Sequence, residues 1–175
     1  MENLITSVLE YSLIGQVQIE GTPVDSKALV NEILEDLTPL EGYSVDIAED
    51  MPYFLTAKIH LKQVFSNLIS NSINYHEKAK PAHISIYRLP DSGEFYRFCV
   101  EDDGPGIPPI NQDKVFTIFQ TMEPSDTTKS TRIGLAVVKK IIESYGGSIE
   151  IVSDGITGSQ FIFSWPKSWV CMTVL

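Results

Sequence analysis

The chain has 175 residues, 43% of them hydrophobic, enough to fill one domain and too few for two of ordinary size. Thirteen basic residues against 23 acidic ones leave a net charge of −10, which excludes a broad nucleic-acid-binding face and makes any polyanion binding depend on local groups or a metal ion. No apolar run approaches the ~20 residues of a membrane span, no leader pattern opens the chain, and Cys99 and Cys171 suit neither a disulfide framework nor a metal site; the expectation is a cytoplasmic domain without membrane contact.

From Met1 to Ile14, apolar residues fall at Leu4, Ile5, Val8, Leu9, Tyr11 and Leu13, the pattern of a helix that Gly15 ends. It is either the tail of a longer helix or an N-terminal helix of its own. Gln16–Glu20 alternates polar and apolar and predicts a short extended piece before a break at Gly21-Thr22-Pro23. Asp25 is a good N-cap for a helix that runs on Leu29, Val30, Ile33, Leu34 and Leu37 and stops at Pro39. Tyr43–Ala48 alternates as a strand, and Met51-Pro52 reads as a turn.

The stretch Leu61–Tyr75 is the most informative. At helical spacing it places Leu61, Val64, Phe65, Leu68, Ile69, Ile73 and Tyr75 on one arc and Gln63, Asn67, Asn71 and Asn74 on the opposite side. Asn is a mediocre helix residue because its side chain competes for backbone groups, and solvated helix faces normally carry Lys and Glu. A row of amides without either suggests a ligand: amide oxygens suit a hard cation such as Mg²⁺ that itself bridges phosphates. Lys78–Pro81 closes the helix.

His83–Leu89 and Glu94–Asp102 then form a predicted hairpin around a Pro90–Gly93 turn. On the second strand Tyr96, Phe98, Val100 and Asp102 share one face, so a carboxylate ends an apolar row and looks into the space between sheet and helices. Asp103-Gly104-Pro105-Gly106-Ile107 follows, then a short amphipathic piece with Val115, Phe116, Ile118 and Phe119. Met122–Arg132 has no apolar period and reads as a mobile loop. Ile133–Tyr145 is a helix stopped by Gly146-Gly147, and Ser148–Val152 and Ser159–Trp165 are strands joined at Asp154-Gly155.

Alone, each motif has a plain reading: Gly104-Pro105-Gly106 as a turn, Asp102 as a strand end, Gly134-Leu135 as close packing, Phe116 and Phe119 as core. Their order is specific. An amide helix, a strand ending in Asp-x-Gly-x-Gly-Ile, Phe-x-x-Phe, a polar loop and Gly-Leu at a helix start resemble the ATP-binding domain of bacterial sensor histidine kinases, in the superfamily that also holds gyrase, the Hsp90 chaperones and MutL. Asn67–Asn71 matches the family's N box, Asp102–Ile107 its G1 box, Phe116–Phe119 its F box and Ile133-Gly134-Leu135 the end of its G2 box. Leu9–Ser12 with Pro23-Val24-Asp25 is similar to the junction in kinases of the phytochrome-associated type.

The resemblance implies an α/β fold, a two-layer α/β sandwich of the Bergerat type, with a mixed, mostly antiparallel sheet covered on one face by three main helices. It implies residues 1–20 as the remnant of a dimerisation helix with a connecting strand, 21–166 as the ATP-binding catalytic domain and 167–175 as a tail. Asp102 would accept the adenine amino group and Tyr75 would lie against the ring. Asn67 and Asn71 would hold Mg²⁺ and the phosphates of ATP, with Gly104 and Gly106 giving close backbone approach and Ile107 beside them. The loop from about Gln120 to Arg132 would be the lid over the nucleotide, with Lys129 a phosphate contact, and Phe119, Thr131, Arg132, Gly134 and Leu135 would be further nucleotide-binding positions. The implied partners are upstream dimerisation helices carrying the phosphoacceptor histidine, in a homodimeric kinase, and indirectly a response regulator.

Three features depart from the family's pattern. Asn74 stands where many relatives have a phosphate-contacting Lys, and Gln63 where the hydrolytic branch has a catalytic Glu, so water activation of that kind is not expected. The G2 box, usually Gly-x-Gly-x-Gly, reads Ser130-Thr131-Arg132-Ile133-Gly134 and lacks two glycines. His60, His76 and His83 lie outside any phosphoacceptor context and are expected to be structural or surface residues. A second reading is a degenerate domain that binds nucleotide poorly and serves as a regulatory module.

Overall fold

The computed structural model of the protein describes residues 2–37, 41–76, 81–118 and 133–169. The chain runs through α1 (Glu2–Leu13), β1 (Thr22–Asp25), α2 (Ser26–Asp36), β2 (Tyr43–Ile47), β3 (Tyr53–Thr56), α3 (Lys58–Tyr75), β4 (Ala82–Ser92), β5 (Phe95–Asp102), α4 (Pro109–Gln112), a 3₁₀ turn at Lys114–Phe116, α5 (Ile133–Ser144), β6 (Ile149–Val152) and β7 (Ser159–Pro166). The main sheet has the order β2-β4-β5-β7-β6, with β2 parallel to β4 and the other pairs antiparallel. It is the expected mixed, mostly antiparallel sheet.

Strand parity sends Ile84 and Ile86 of β4, Phe98 and Val100 of β5, and Phe161, Phe163 and Trp165 of β7 to the helix-covered face, where all are fully buried. Leu61, Val64, Phe65, Leu68 and Ile69 of α3 meet them. The Phe65 ring sits 5.5 Å from Phe98 and 5.3 Å from Phe163, both edge-on. Val138, Ile141 and Ile142 of α5 extend this layer, and Leu29, Val30 and Ile33 of α2 close its other side. Asp25 caps α2 as expected, its carboxylate accepting from the Lys27 and Ala28 N–H groups.

Several boundaries differ from those the sequence predicts. Residues 16–20 form no strand; the extended segment is β1, which takes in the supposed break at Thr22-Pro23 and pairs antiparallel with β3. Met51-Pro52 leads into β3 rather than turning back, and the Pro52 carbonyl accepts from both the N–H and the hydroxyl of Ser26. Trp165 Nε1 donates to Thr56 Oγ1 at 2.8 Å and ties this small sheet to the main one. β4 continues through Pro90 to Ser92, with a register shift after Leu89 that absorbs the proline, so the hairpin turns at Gly93-Glu94.

Residues 167–169 are not a free tail: Lys167 N–H donates to the Glu94 carbonyl, and the Trp169 indole lies over Gly21 and beside Tyr145. Pro39, Lys78 and Cys171 lie outside the described residues.

Candidate functional site

Asp102 ends β5 on the helix-facing side, next to α3. Its Oδ1 accepts the Gly104 N–H at 3.0 Å, and its Oδ2 lies 3.4 Å from the hydroxyl of Ser72, a buried residue that also donates to the Leu68 carbonyl. Burial pushes the carboxyl above the ordinary Asp range, against the pull of the Gly104 N–H and the Ser72 hydroxyl. A half-buried carboxylate with lone pairs left over suits a ligand's N–H donor. Gly104 keeps that edge open: a Cβ there would stand 2.9 Å from Asp102 Oδ1.

One turn of α3 apart, the side chains of Asn67 and Asn71 are half-buried and form no hydrogen bond with another described residue. The first turn of α5 approaches from the other side, where a Cβ on Gly134 would lie 3.5 Å from Asn67 Oδ1. The amides therefore border the first described turn of α5, and a helix N-terminus favours anions. Gln63, the fourth polar residue of this row, is engaged elsewhere, its Nε2 donating to Glu10 Oε2 of α1 at 3.3 Å.

Not every expected site residue joins this cluster. Tyr75 leaves the apolar arc: it is the last residue of α3 and 46% exposed, with Asn74 exposed beside it, while Ser72 and Ile73 of the same turn pack inward. Leu135 is buried in the core. Gly106 is glycine for a reason of the fold. It has φ +79°, and a Cβ would stand 2.7 Å from the Ile156 nitrogen in the turn between β6 and β7. Ile107 belongs to the same joint, its N–H donating to Ser153 Oγ and its carbonyl accepting from Gln112 Nε2. Phe119, Lys129, Thr131 and Arg132 lie outside the described residues.

No motif or spacing pointed to Ser153, whose hydroxyl also takes the Gly155 N–H and donates to the Gly158 carbonyl. Gly158, the partner of that hydroxyl, has φ +79°, donates its N–H to the Gly104 carbonyl and leaves no space for a Cβ against the Asp102 carbonyl. The three histidines all have partners: His60 with Tyr145, His76 with Asp103, and His83 with Ser44 and Ser85.

A carboxylate at a strand end and two amides one helical turn apart, without a hydrogen bond to another described residue, thus lie beside the first described turn of α5. The family described as "Histidine kinase-, DNA gyrase B-, and HSP90-like ATPase" matches residues 56–168. The chain belongs to that family. Among curated members, cyanobacterial phytochrome B of Nostoc sp. is 34% identical over 172 residues, covering 94% of this chain and 22% of its own. The adaptive-response sensory kinase SasA of Synechocystis sp. is 30% identical, covering 95% of this chain and 45% of its own. The chain thus spans about a fifth to just under half of these relatives' length. Among solved members of the histidine kinase group, the nucleotide-free catalytic domain of ThkA superposes with a TM-score of 0.69 at 25% identity, over 86% of this chain and 97% of that one. Full-length ShkA, solved in complex with AMPPNP, reaches a TM-score of 0.81 at 23% identity, over 97% of this chain and 36% of that one. The fold is that of histidine kinase catalytic domains.

Proposed function

We propose that this chain is the ATP-binding catalytic part of a sensor histidine kinase and delivers the γ-phosphoryl of ATP to a histidine on upstream dimerisation helices, in two-component signal transduction. The observation that carries this reading is Asp102, open at one edge and joined to α3 through Ser72, together with the amides of Asn67 and Asn71 on the same helix, unpartnered among the described residues and within the stretch that the family model matches. Asp102 reads the adenine amino group, and Tyr75 at the exposed end of α3 covers the ring. The amide oxygens are hard, neutral donors that fit Mg²⁺, and Asn67 and Asn71 would hold the ion. The ion, when bound, offsets phosphate charge during phosphoryl transfer.

The chain's own contribution is positioning. Gly104 leaves the carboxylate edge clear, Gly134 lets the start of α5 approach the amides, and the Ser153 joint holds the loop from Gly104 to Pro108 in place. Gln63, already engaged with Glu10, cannot serve as a base for water, so free ATP hydrolysis is slow. Helix α1 would be the end of a dimerisation helix, and the chain would act in the cytoplasm as part of a homodimer that serves a response regulator. Titration with a fluorescent ATP analogue, with and without Mg²⁺, tests the core of this reading. Saturable binding strengthened by Mg²⁺ is expected, and no binding in either condition would overturn it.

A further inference from the structure

At the end of α3, one residue beyond its last helical position, His76 takes extended backbone (φ −75°, ψ 140°) and turns its ring inward, leaving the side chain 4% exposed. Its Nε2 lies 2.9 Å from Asp103 Oδ1. The same oxygen accepts the His83 N–H at 2.9 Å, and the Asp103 N–H donates back to the His83 carbonyl at 3.3 Å. Asp103 is thereby anchored to both β4 and the end of α3. The ring also passes beneath the next residue, its Cδ2 being 3.7 Å from where a Cβ on Gly104 would stand.

These contacts bear on the carboxylate just upstream. Asp102 Oδ1 is oriented by the Gly104 N–H, and the angle of that N–H is set by the backbone of Asp103. Fixing Asp103 from two sides therefore fixes which edge of Asp102 faces the gap. The charge on Asp103 strengthens this anchoring. Burial would raise its carboxyl, but the His83 N–H and His76 outweigh it and hold the carboxyl below the usual range, so it stays an anion. A charge-assisted bond to a buried ring is stronger and better directed than a neutral one. A residue that merely filled space at this position would need no acid partner.

We propose that His76 is a positioning residue for nucleotide recognition, latching Asp103 so that Asp102 presents its carboxylate edge to the base. The proposal rests on the reading of Asp102 as the adenine acceptor. It predicts a defect confined to the feature Asp102 reads, the exocyclic amino group, which inosine triphosphate lacks.

The test is competition of ATP and of inosine triphosphate against a fluorescent ATP analogue, with thermal melts alongside. It uses the wild-type chain, His76→Ala, His76→Gln, Asp102→Asn and the His76→Ala/Asp102→Asn double variant. The latch predicts that His76→Ala weakens ATP by about fivefold or more while inosine triphosphate binding is unchanged or tighter. His76→Gln, which retains a donor for Asp103, recovers most of the ATP affinity. The double variant binds ATP no more weakly than Asp102→Asn alone, because both changes remove one interaction.

Failure of the two readings is separable. If Asp102→Asn leaves the ratio of ATP to inosine triphosphate affinity unaltered, the adenine assignment fails and the latch with it. If Asp102→Asn collapses that ratio while His76→Ala spares it, or lowers both nucleotides equally, the latch alone is overturned. Should His76→Ala not fold, Asp103→Asn carries the same test. It keeps an acceptor for the His83 N–H but loses the charge facing His76, and an unchanged ratio there counts against the latch.

Discussion

Replacing Asp102 by Asn separates a ligand-reading carboxylate from a structural one, because the two roles predict opposite effects on stability. Asp102 makes one good internal bond, from the Gly104 N–H, and a long one from Ser72 at 3.4 Å. An amide oxygen keeps the first. Burial raises the carboxyl's pKa in the folded chain, so ionisation opposes folding: this penalty is absent at low pH, where folded and unfolded forms both hold the proton, and grows as pH rises through the unfolded and then the folded value. A neutral Asn removes it, and the melting temperature at pH 7 should hold or rise. Nucleotide binding should move the other way. Loss of a charge-assisted bond to the adenine amino group costs about 1.5–3 kcal/mol, or roughly ten- to 150-fold in affinity. Wild-type affinity should also fall on acidification through the raised Asp102 value, while the variant's changes less. Calorimetric titration with ATP and thermal melts measure both arms. Unchanged affinity, or a melting temperature lower by more than the ~2–4 °C that 1 kcal/mol represents at this size, would refute the reasoning.

Asn71→Ala should weaken Mg·ATP far more than Mg-free ADP, because its free amide is assigned to the ion and phosphates; paired titrations giving equal losses would make it a structural residue. Ser130→Gly with Arg132→Gly, which restores the two glycines of the family's G2 pattern outside the described residues, should tighten ATP binding by about tenfold, ~1.4 kcal/mol; looser binding would make Arg132 a phosphate ligand. Asp154, held at about 2 by the Thr157 N–H and hydroxyl and the Ile156 N–H, should stabilise the turn above the ordinary Asp value, with the gain lost as pH falls from about 4 to about 2. Asp154→Asn should flatten that part of a pH–stability profile, and a profile identical to wild type would contradict it.

The parts of this fold that could be read from sequence are those whose periodicity is long and whose core faces are continuous. Eighteen residues of α3 and the alternating faces of β5 and β7 had no competing arrangement. β1 and β3 escaped because each has four residues, one containing Pro23, and they pair across some thirty residues with Tyr53 and Leu55 exposed. Pro90 suggested a turn but sits in a strand whose register shift accommodates it. In the candidate site, the directions of Asp102 and the amides were legible because parity and helical spacing fix them. Ser153 and His76 were not, since each acts through a contact that only the closed topology creates. Tyr75 fell on the right arc of a helical wheel, but a wheel does not show where the core ends.

Nucleotide binding in the gap bordered by Asp102, Gly104, Asn67, Asn71 and Gly134 is the claim on which the rest depends. Titration of isotope-labelled chain with Mg·ATP, followed by backbone and side-chain amide NMR, tests it most directly. The Gly104 and Gly134 backbone amides and the Asn67 and Asn71 side-chain amides should shift together at one affinity, while Glu150 on the opposite face of β6 and Asp46 on β2 stay in place. Saturable binding that leaves those four signals unmoved would contradict it.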